Sequence, residues 1–175
     1  IFTESPTNPH LHVLDLVQLV AFAKERRLKV LIDSTLATPI NQRPLDFGVD
    51  LVIHSATKYM GGHNDLMAGV VCGKGALINA IREYQRITGS VVDPNTSYLL
   101  IRGLKTLALR VVQQNDTAMK IASFLEGHNR VEKVYYPGLP SHVDHELAKA
   151  QMRGYGGLIS FEVAGDLQKT RDFVH

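Results

Sequence analysis

Residues 28–33 and 50–54 constrain the fold more than any other part of the chain. The first run, Leu28-Lys29-Val30-Leu31-Ile32-Asp33, is apolar apart from Lys29 and closes on an acid; the second is Asp50-Leu51-Val52-Ile53-His54. Short apolar runs without in-and-out alternation belong to strands covered on both faces, the condition of a mostly parallel sheet packed between helices. The neighbouring segments agree: a strand at residues 1–4, a helix at 14–27 with Leu14, Val17 and Ala21 on one face, and a long loop at 35–45 containing Pro39 and Pro44. A strand at 68–72 and a helix at 76–87 follow. In such α/β sheets, ligands bind beyond the carboxyl ends of the strands, so the residues just after Ile32 and Ile53 are the first place to look for chemistry.

After Gly89 the character changes. Helices are expected at 95–104 and 106–126, with Gly127 as a C-cap, then a strand at 131–135, a Pro137-Gly138 turn, a helix near 145–151, a strand at 158–163 and a helix at 167–175. The expected division is a large domain over residues 1–110, then a connecting helix and the start of a smaller α/β domain over 111–175. The chain opens at Ile1, directly in a strand-like segment, and ends inside a helix-like one. It therefore reads as a piece of a longer protein, with any targeting segment outside it.

Composition removes several functions. With 45% hydrophobic and 21% charged residues the chain is neither disordered nor fibrous in type. A net charge of +2, with no basic cluster longer than Lys24-Glu25-Arg26-Arg27, gives no footprint for nucleic acid or an anionic membrane. No apolar stretch approaches the roughly 20 residues of a membrane span. The single Cys72 excludes an internal disulfide and a cysteine zinc cluster, which fits a soluble protein of a reducing compartment.

The stretch His54-Ser55-Ala56-Thr57-Lys58-Tyr59 is the most informative. A lysine just past a buried strand can offer its amine to an aldehyde as a Schiff base, and the hydroxyls of Ser55 and Thr57 suit phosphate oxygens. Asp33, at the end of the other buried strand, can pair with a pyridinium nitrogen and keep the ring an electron sink. A phosphate anchor, a Schiff-base lysine and an acid for the ring nitrogen are what pyridoxal 5′-phosphate requires. Each has a plainer reading alone: the lysine as a solvated charge, the acid as a helix cap. Ser55-Ala-Thr-Lys58 also matches the Ser-x-x-Lys nucleophile of serine acyl-enzymes, but it follows a strand rather than opening a helix, and no Ser-Asp-Asn accompanies it. The spaced pairs His10/His12 and His142/His145 lack nearby cysteines or a paired Asp/Glu cluster and are read as loop histidines, not metal ligands. His54 and His63 receive no catalytic role.

An ordered set of segments carries a resemblance covering essentially the whole chain. Glu4-Ser-Pro-Thr-Asn-Pro9, Ile32-Asp-Ser-Thr-Leu-Ala-Thr-Pro39, Pro44-Leu-Asp-Phe-Gly-Val-Asp50, His54-Ser-Ala-Thr-Lys-Tyr59, Gly62-His-Asn-Asp65 and Arg102-Gly-Leu-Lys-Thr-Leu107 resemble the Cys/Met-metabolism family of PLP enzymes. The resemblance implies the central part of an aspartate-aminotransferase-like (fold type I) large domain and the start of a small C-terminal α/β domain. It makes Lys58 the Schiff-base lysine, Asp33 the partner of the pyridine nitrogen, and Ser55 and Thr57 phosphate ligands; it alone adds Asn8, near the ring hydroxyl. Asp93-Pro-Asn95, Gln113-Gln-Asn115 and Tyr135-Tyr-Pro-Gly-Leu-Pro-Ser-His142 are similar to the plant-type cystathionine γ-synthase branch. The activity this implies is γ-replacement on an activated homoserine ester by cysteine, a step of methionine biosynthesis. Cystathionine β- or γ-lyase, methionine γ-lyase and homoserine-ester sulfhydrylase share its first half. It also implies a homo-oligomer, dimer or tetramer, in the cytoplasm, or in a plastid for a plant protein. The family's phosphate loop, ring-stacking tyrosine and carboxylate-binding arginine fall outside the segment, so the isolated chain is expected to be inactive, and a truncated remnant acting only through oligomer contacts is the second reading. Arg102 and Arg110 are expected to make structural or interface contacts instead.

Overall fold

The computed structural model describes residues 1–174. Its larger sheet has four strands in sequence order. Strands β1 (Phe2–Glu4), β2 (Leu31–Asp33) and β3 (Leu51–Ser55) run parallel, and β4 (Gly69–Gly73) is antiparallel at one side. The register aligns Glu4 with Asp33 and Asp33 with Ile53, so the carboxyl ends of the three parallel strands finish together. Alternation along β2 and β3 then sends Ile32, Val52 and His54 to one face, all buried, and Asp33 and Ser55 to the other.

Helix α1 (Leu16–Glu25) covers the buried face. Asp15 caps it by accepting from the Gln18 N–H at 2.9 Å. Leu16, Val20 and Ala23 pack against Val30, Ile32, Val49 and Val52. The face expected from Leu14, Val17 and Ala21 is not the buried one, and Val17 is 63% exposed. Leu-Val-Gln-Leu-Val-Ala-Phe-Ala is apolar around most of its circumference, so periodicity alone could not choose the rotation; the Asp15 cap and the docking on β2 and β3 do.

The expected loop at 35–45 is also more ordered than its prolines suggested. Helix α2 (Thr38–Asn41) and a 3-10 turn (Pro44–Phe47) each place a proline within the first two positions, where its missing N–H costs no hydrogen bond. The later elements fall close to expectation: α3 (Gly75–Thr88), α4 (Pro94–Leu104), α5 (Leu107–Glu126), β5 (Val131–Tyr135), α6 (His145–Gln151), β6 (Ser160–Val163) and α7 (Leu167–Val174). The last residue assigned to that final helix, His175, lies outside the described residues. Gly127 does cap α5, but at φ −88 rather than in the left-handed region.

Strands β5 and β6 form a separate antiparallel pair. Helix α5 joins the two sheets through different parts of its length. Leu107 and Val111 pack with Ala56 and Met60 behind β3, while Ala118 and Ala122 pack with Val134, Tyr136 and Leu139 on the smaller sheet. Among the described residues no helix is long and apolar enough to cross a membrane.

Candidate functional site

The chain leaves β3 at Ser55 and turns sharply through residues 56–62. The Lys58 N–H donates to Ser55 O at 3.1 Å, Gly61 N–H to Ala56 O at 2.8 Å and Gly62 N–H to Lys58 O at 2.8 Å. This turn lifts the Lys58 side chain over the carboxyl ends of the strands. A cavity of about 580 Å³ opens there, and its lining includes Lys58, Asp33, Ser55, Thr57 and Asn8, all five residues singled out from the sequence. That volume lies in the usual range for small-molecule and cofactor sites.

Asp33 ends β2, and one of its oxygens, Oδ1, is held by Thr35: the Thr35 N–H donates to it at 2.9 Å and the Thr35 hydroxyl at 2.5 Å. The same hydroxyl accepts the Ser55 N–H at 2.7 Å. Thr35 thus ties the ends of β2 and β3 together and fixes the direction of the carboxylate, while Oδ2 has no protein hydrogen bond among the described residues. The Ser55 hydroxyl likewise has no protein partner among the described residues. Thr57 differs, because its Oγ1 accepts the Ala68 N–H at 3.0 Å and donates to Ala68 O at 3.3 Å. Its hydroxyl pins the turn to the approach of β4, and that long donor bond must swing away before Thr57 can donate to a ligand.

Asn8 reaches the cavity on a loop closed by Thr7 N–H to His12 O at 2.9 Å and Leu11 N–H to Thr7 O at 2.9 Å. Asp144, just before α6, anchors this loop from the other side, with Oδ2 accepting from His12 Nδ1 at 2.9 Å and from the Val13 N–H at 3.0 Å. His145 Nδ1 donates to Pro137 O at 2.9 Å. His12 and His145 thus have structural partners, and among the described residues no group of three or more His, Cys, Asp or Glu could hold a metal ion.

Several lining residues carried no sequence signal of their own. Tyr59 is packed into the wall; burial raises its phenol pKa, against the opposing effect of the Gly157 backbone, so at neutral pH it is an O–H donor. Gln114, on α5, has a buried Oε1 that accepts no hydrogen bond among the described residues. Arg110 sits one turn earlier on that helix and binds backbone carbonyls of the lysine turn, Nη1 reaching Tyr59 O at 2.8 Å. Arg102 pairs with Asp65 at 3.2 Å on the surface. Both arginines make the structural contacts expected of them. Thr35 alone could have been found from sequence, since Asp-x-Thr after a strand is a local turn motif.

The donor set suits the cofactor named above. The cavity lining offers a primary amine that would suit an aldehyde, a carboxylate with one open oxygen that would suit a ring N–H, and a serine hydroxyl that would suit a phosphate oxygen. Over residues 1–175 the sequence matches the Cys/Met metabolism PLP-dependent enzymes. It is 54% identical over 173 residues to cystathionine gamma-synthase 1, chloroplastic, of Arabidopsis thaliana, covering 99% of this chain and 31% of that protein. Against cystathionine beta-lyase of Coxiella burnetii the identity is 46% over 173 residues, covering 98% of this chain and 45% of the relative. A crystal structure of cystathionine gamma synthase from Xanthomonas oryzae pv. oryzae, in complex with aminoacrylate and cysteine, superimposes with a TM-score of 0.96 at 38% identity, over 99% of this chain and 45% of that one. The chain spans between about a third and under a half of the length of these relatives. It belongs to the Cys/Met metabolism family of PLP-dependent enzymes, and its cofactor is pyridoxal 5′-phosphate.

Proposed function

We propose that the protein carrying this chain catalyses γ-replacement: an activated homoserine ester exchanges its γ-substituent for the sulfur of cysteine, giving cystathionine and the released acid. The observation that carries this reading is the 54% identity to a plant cystathionine γ-synthase, combined with a single cavity that gathers an amine, a half-free carboxylate and a free hydroxyl. When bound, the cofactor supplies an electron sink for negative charge at the substrate Cα.

The chain's own residues then act as follows. Asp33, oriented by Thr35, holds the proton at the ring nitrogen, a charge-assisted hydrogen bond that strengthens as charge flows into the ring. Ser55 donates to the phosphate, and Thr57 joins it by releasing Ala68 O. Asn8 lies toward the ring hydroxyl. The Lys58 amine anchors the cofactor and, when free, takes the Cα proton and returns protons to the neighbouring carbons. Division near residue 110 into a cofactor-binding part and the start of a smaller domain fits a helix α5 that packs on both sheets. A homo-oligomer fits the apolar side chains left open on α3 and α4, among them Tyr84 at 68%, Ile87 at 79% and Ile101 at 60% exposed.

A second reading, cystathionine β-lyase, rests on the Coxiella relative. The test is to assay the full reading frame with phosphorylated, succinylated and acetylated homoserine plus cysteine, and separately with cystathionine alone. Cystathionine formation from one ester is the expected result. Faster release of homocysteine, pyruvate and ammonia from cystathionine would overturn γ-replacement in favour of the lyase.

A further inference from the structure

We infer that Arg110 is a positioning residue for Lys58: its guanidinium, seated on the carbonyls that follow the lysine, sets where the amine stands over the cavity. This rests on the assignment of Lys58 given above. Nη1 donates to Tyr59 O at 2.8 Å, and Nη2 to Gly103 O at 2.9 Å and, more weakly, to Met60 O at 3.5 Å. Nε donates to Thr106 Oγ1 at 3.1 Å, which fixes the plane of the group. One cation therefore joins the lysine turn to the α4–α5 junction, and it also borders the cavity.

The surroundings are shaped to admit it. At Gly62, φ is +78, and a Cβ would lie 2.2 Å from Arg110 Nη1, so only glycine leaves the guanidinium its seat. At Gly103 a Cβ would lie 2.3 Å from Gly61 O and 2.7 Å from Met60 O, so the absence of a side chain lets α4 approach the lysine turn. Among the described residues the remaining backbone hydrogen bonds of the turn are local, apart from Thr57 with Ala68. Without Arg110 the backbone just after Lys58 loses its polar tie to the helices and keeps only apolar packing, that of Ala56 and Met60 on Leu107 and Val111. Displacement of a reacting group by about 1 Å costs on the order of a hundredfold in rate. Lysine cannot replace the planar fork, because an ammonium is a point charge that does not reach separated carbonyls in one plane.

The test titrates apoprotein from the full reading frame with pyridoxal 5′-phosphate. It follows the visible band of the Lys58-bound cofactor and the pH midpoint of that band in wild type, Arg110→Met, Arg110→Lys and Lys58→Ala. Thermal unfolding of each apoprotein is measured alongside. The expected result for Arg110→Met is at least a tenfold loss of cofactor affinity and a displaced pH midpoint; Arg110→Lys should restore less than half of the loss on a logarithmic scale. Gly62→Ala should reproduce the effect, and its combination with Arg110→Met should add little, since both unseat the same group. An unchanged midpoint and affinity with only a lower unfolding temperature would make Arg110 an ordinary clamp and overturn the inference. If Arg110→Met does not fold, full recovery of affinity and midpoint by Arg110→Lys would do the same. Retention of the wild-type band by Lys58→Ala would instead sink the lysine assignment itself, so the two failures are distinguishable.

Discussion

The two oxygens of Asp33 are placed for different tasks. Oδ1 is held by the backbone and hydroxyl of Thr35, and Oδ2, which has no protein partner among the described residues, is the oxygen that the proposed function gives to the ring nitrogen. Asp33→Ala should therefore leave cofactor attachment at Lys58 largely intact while slowing exchange of the substrate Cα hydrogen with solvent. Losing roughly 4 kcal/mol of transition-state stabilisation corresponds to about a thousandfold in rate. Asp33→Asn should be nearly as slow, because it keeps the shape and loses the charge. Single-turnover exchange, compared with the visible band in the same samples, measures both; unchanged exchange would remove Asp33 from the ring nitrogen. That Lys58, Asp33 and Ser55 line one cavity was legible in the sequence because each stands at or just past the end of a recognisable buried strand. Asn8 was reached only through family resemblance, since an Asn before a Pro otherwise reads as a turn residue. Arg110 and Gln114 were not visible as cavity residues, because only the fold brings α5, some fifty residues later in the chain, against the lysine turn.

At the scale of the elements, β3 holds a titratable group on its buried side. His54 is 6% exposed, and burial lowers its pKa, against the opposing field of Asp33 and a hydrogen bond to the Ser34 backbone. Burial likewise lowers the pKa of His142. An imidazole with a depressed folded-state pKa takes up its proton more readily in the unfolded chain, so its contribution is fully present above about pH 6.5 and is lost as the pH falls below that value. The unfolding temperature should therefore drop between pH 7.5 and pH 5.5, and His54→Gln should flatten that slope without removing it, since His142 still titrates. A slope that is flat or inverted in wild type would contradict this. Element types were legible from the apolar runs and the change of character after Gly89. The rotation of α1 and the order within residues 35–47 were not, because packing decided the first and proline at helix starts the second.

The two sheets are joined by a small number of polar contacts around α5. Asn41 and Asn115 exchange paired amide hydrogen bonds at 2.9 and 2.8 Å, and the Gly156 N–H donates to the Asn115 side chain at 2.9 Å. Tyr136, fully buried, donates from its hydroxyl to Gly156 O at 2.9 Å. Asn115→Ala strands the Asn41 amide, which is 2% exposed, and should lower stability by about 2–4 kcal/mol, since each unpaired buried group costs about 1–3 kcal/mol. Urea unfolding measures it; a loss below about 0.5 kcal/mol, less than one ordinary hydrogen bond contributes, would show that the amide pair is not holding the halves together. Such pairing across 74 positions is invisible to a sequence reading, which could place α5 as a bridge but not name its contacts. On the proposed function, the cofactor stands on Lys58 above the ends of β2 and β3. The most direct measurement is borohydride reduction of the cofactor-loaded protein, followed by peptide mapping of the phosphopyridoxyl group. The expected result is one modified lysine, Lys58, and none in Lys58→Ala. Modification of a different lysine, or of none, would contradict it.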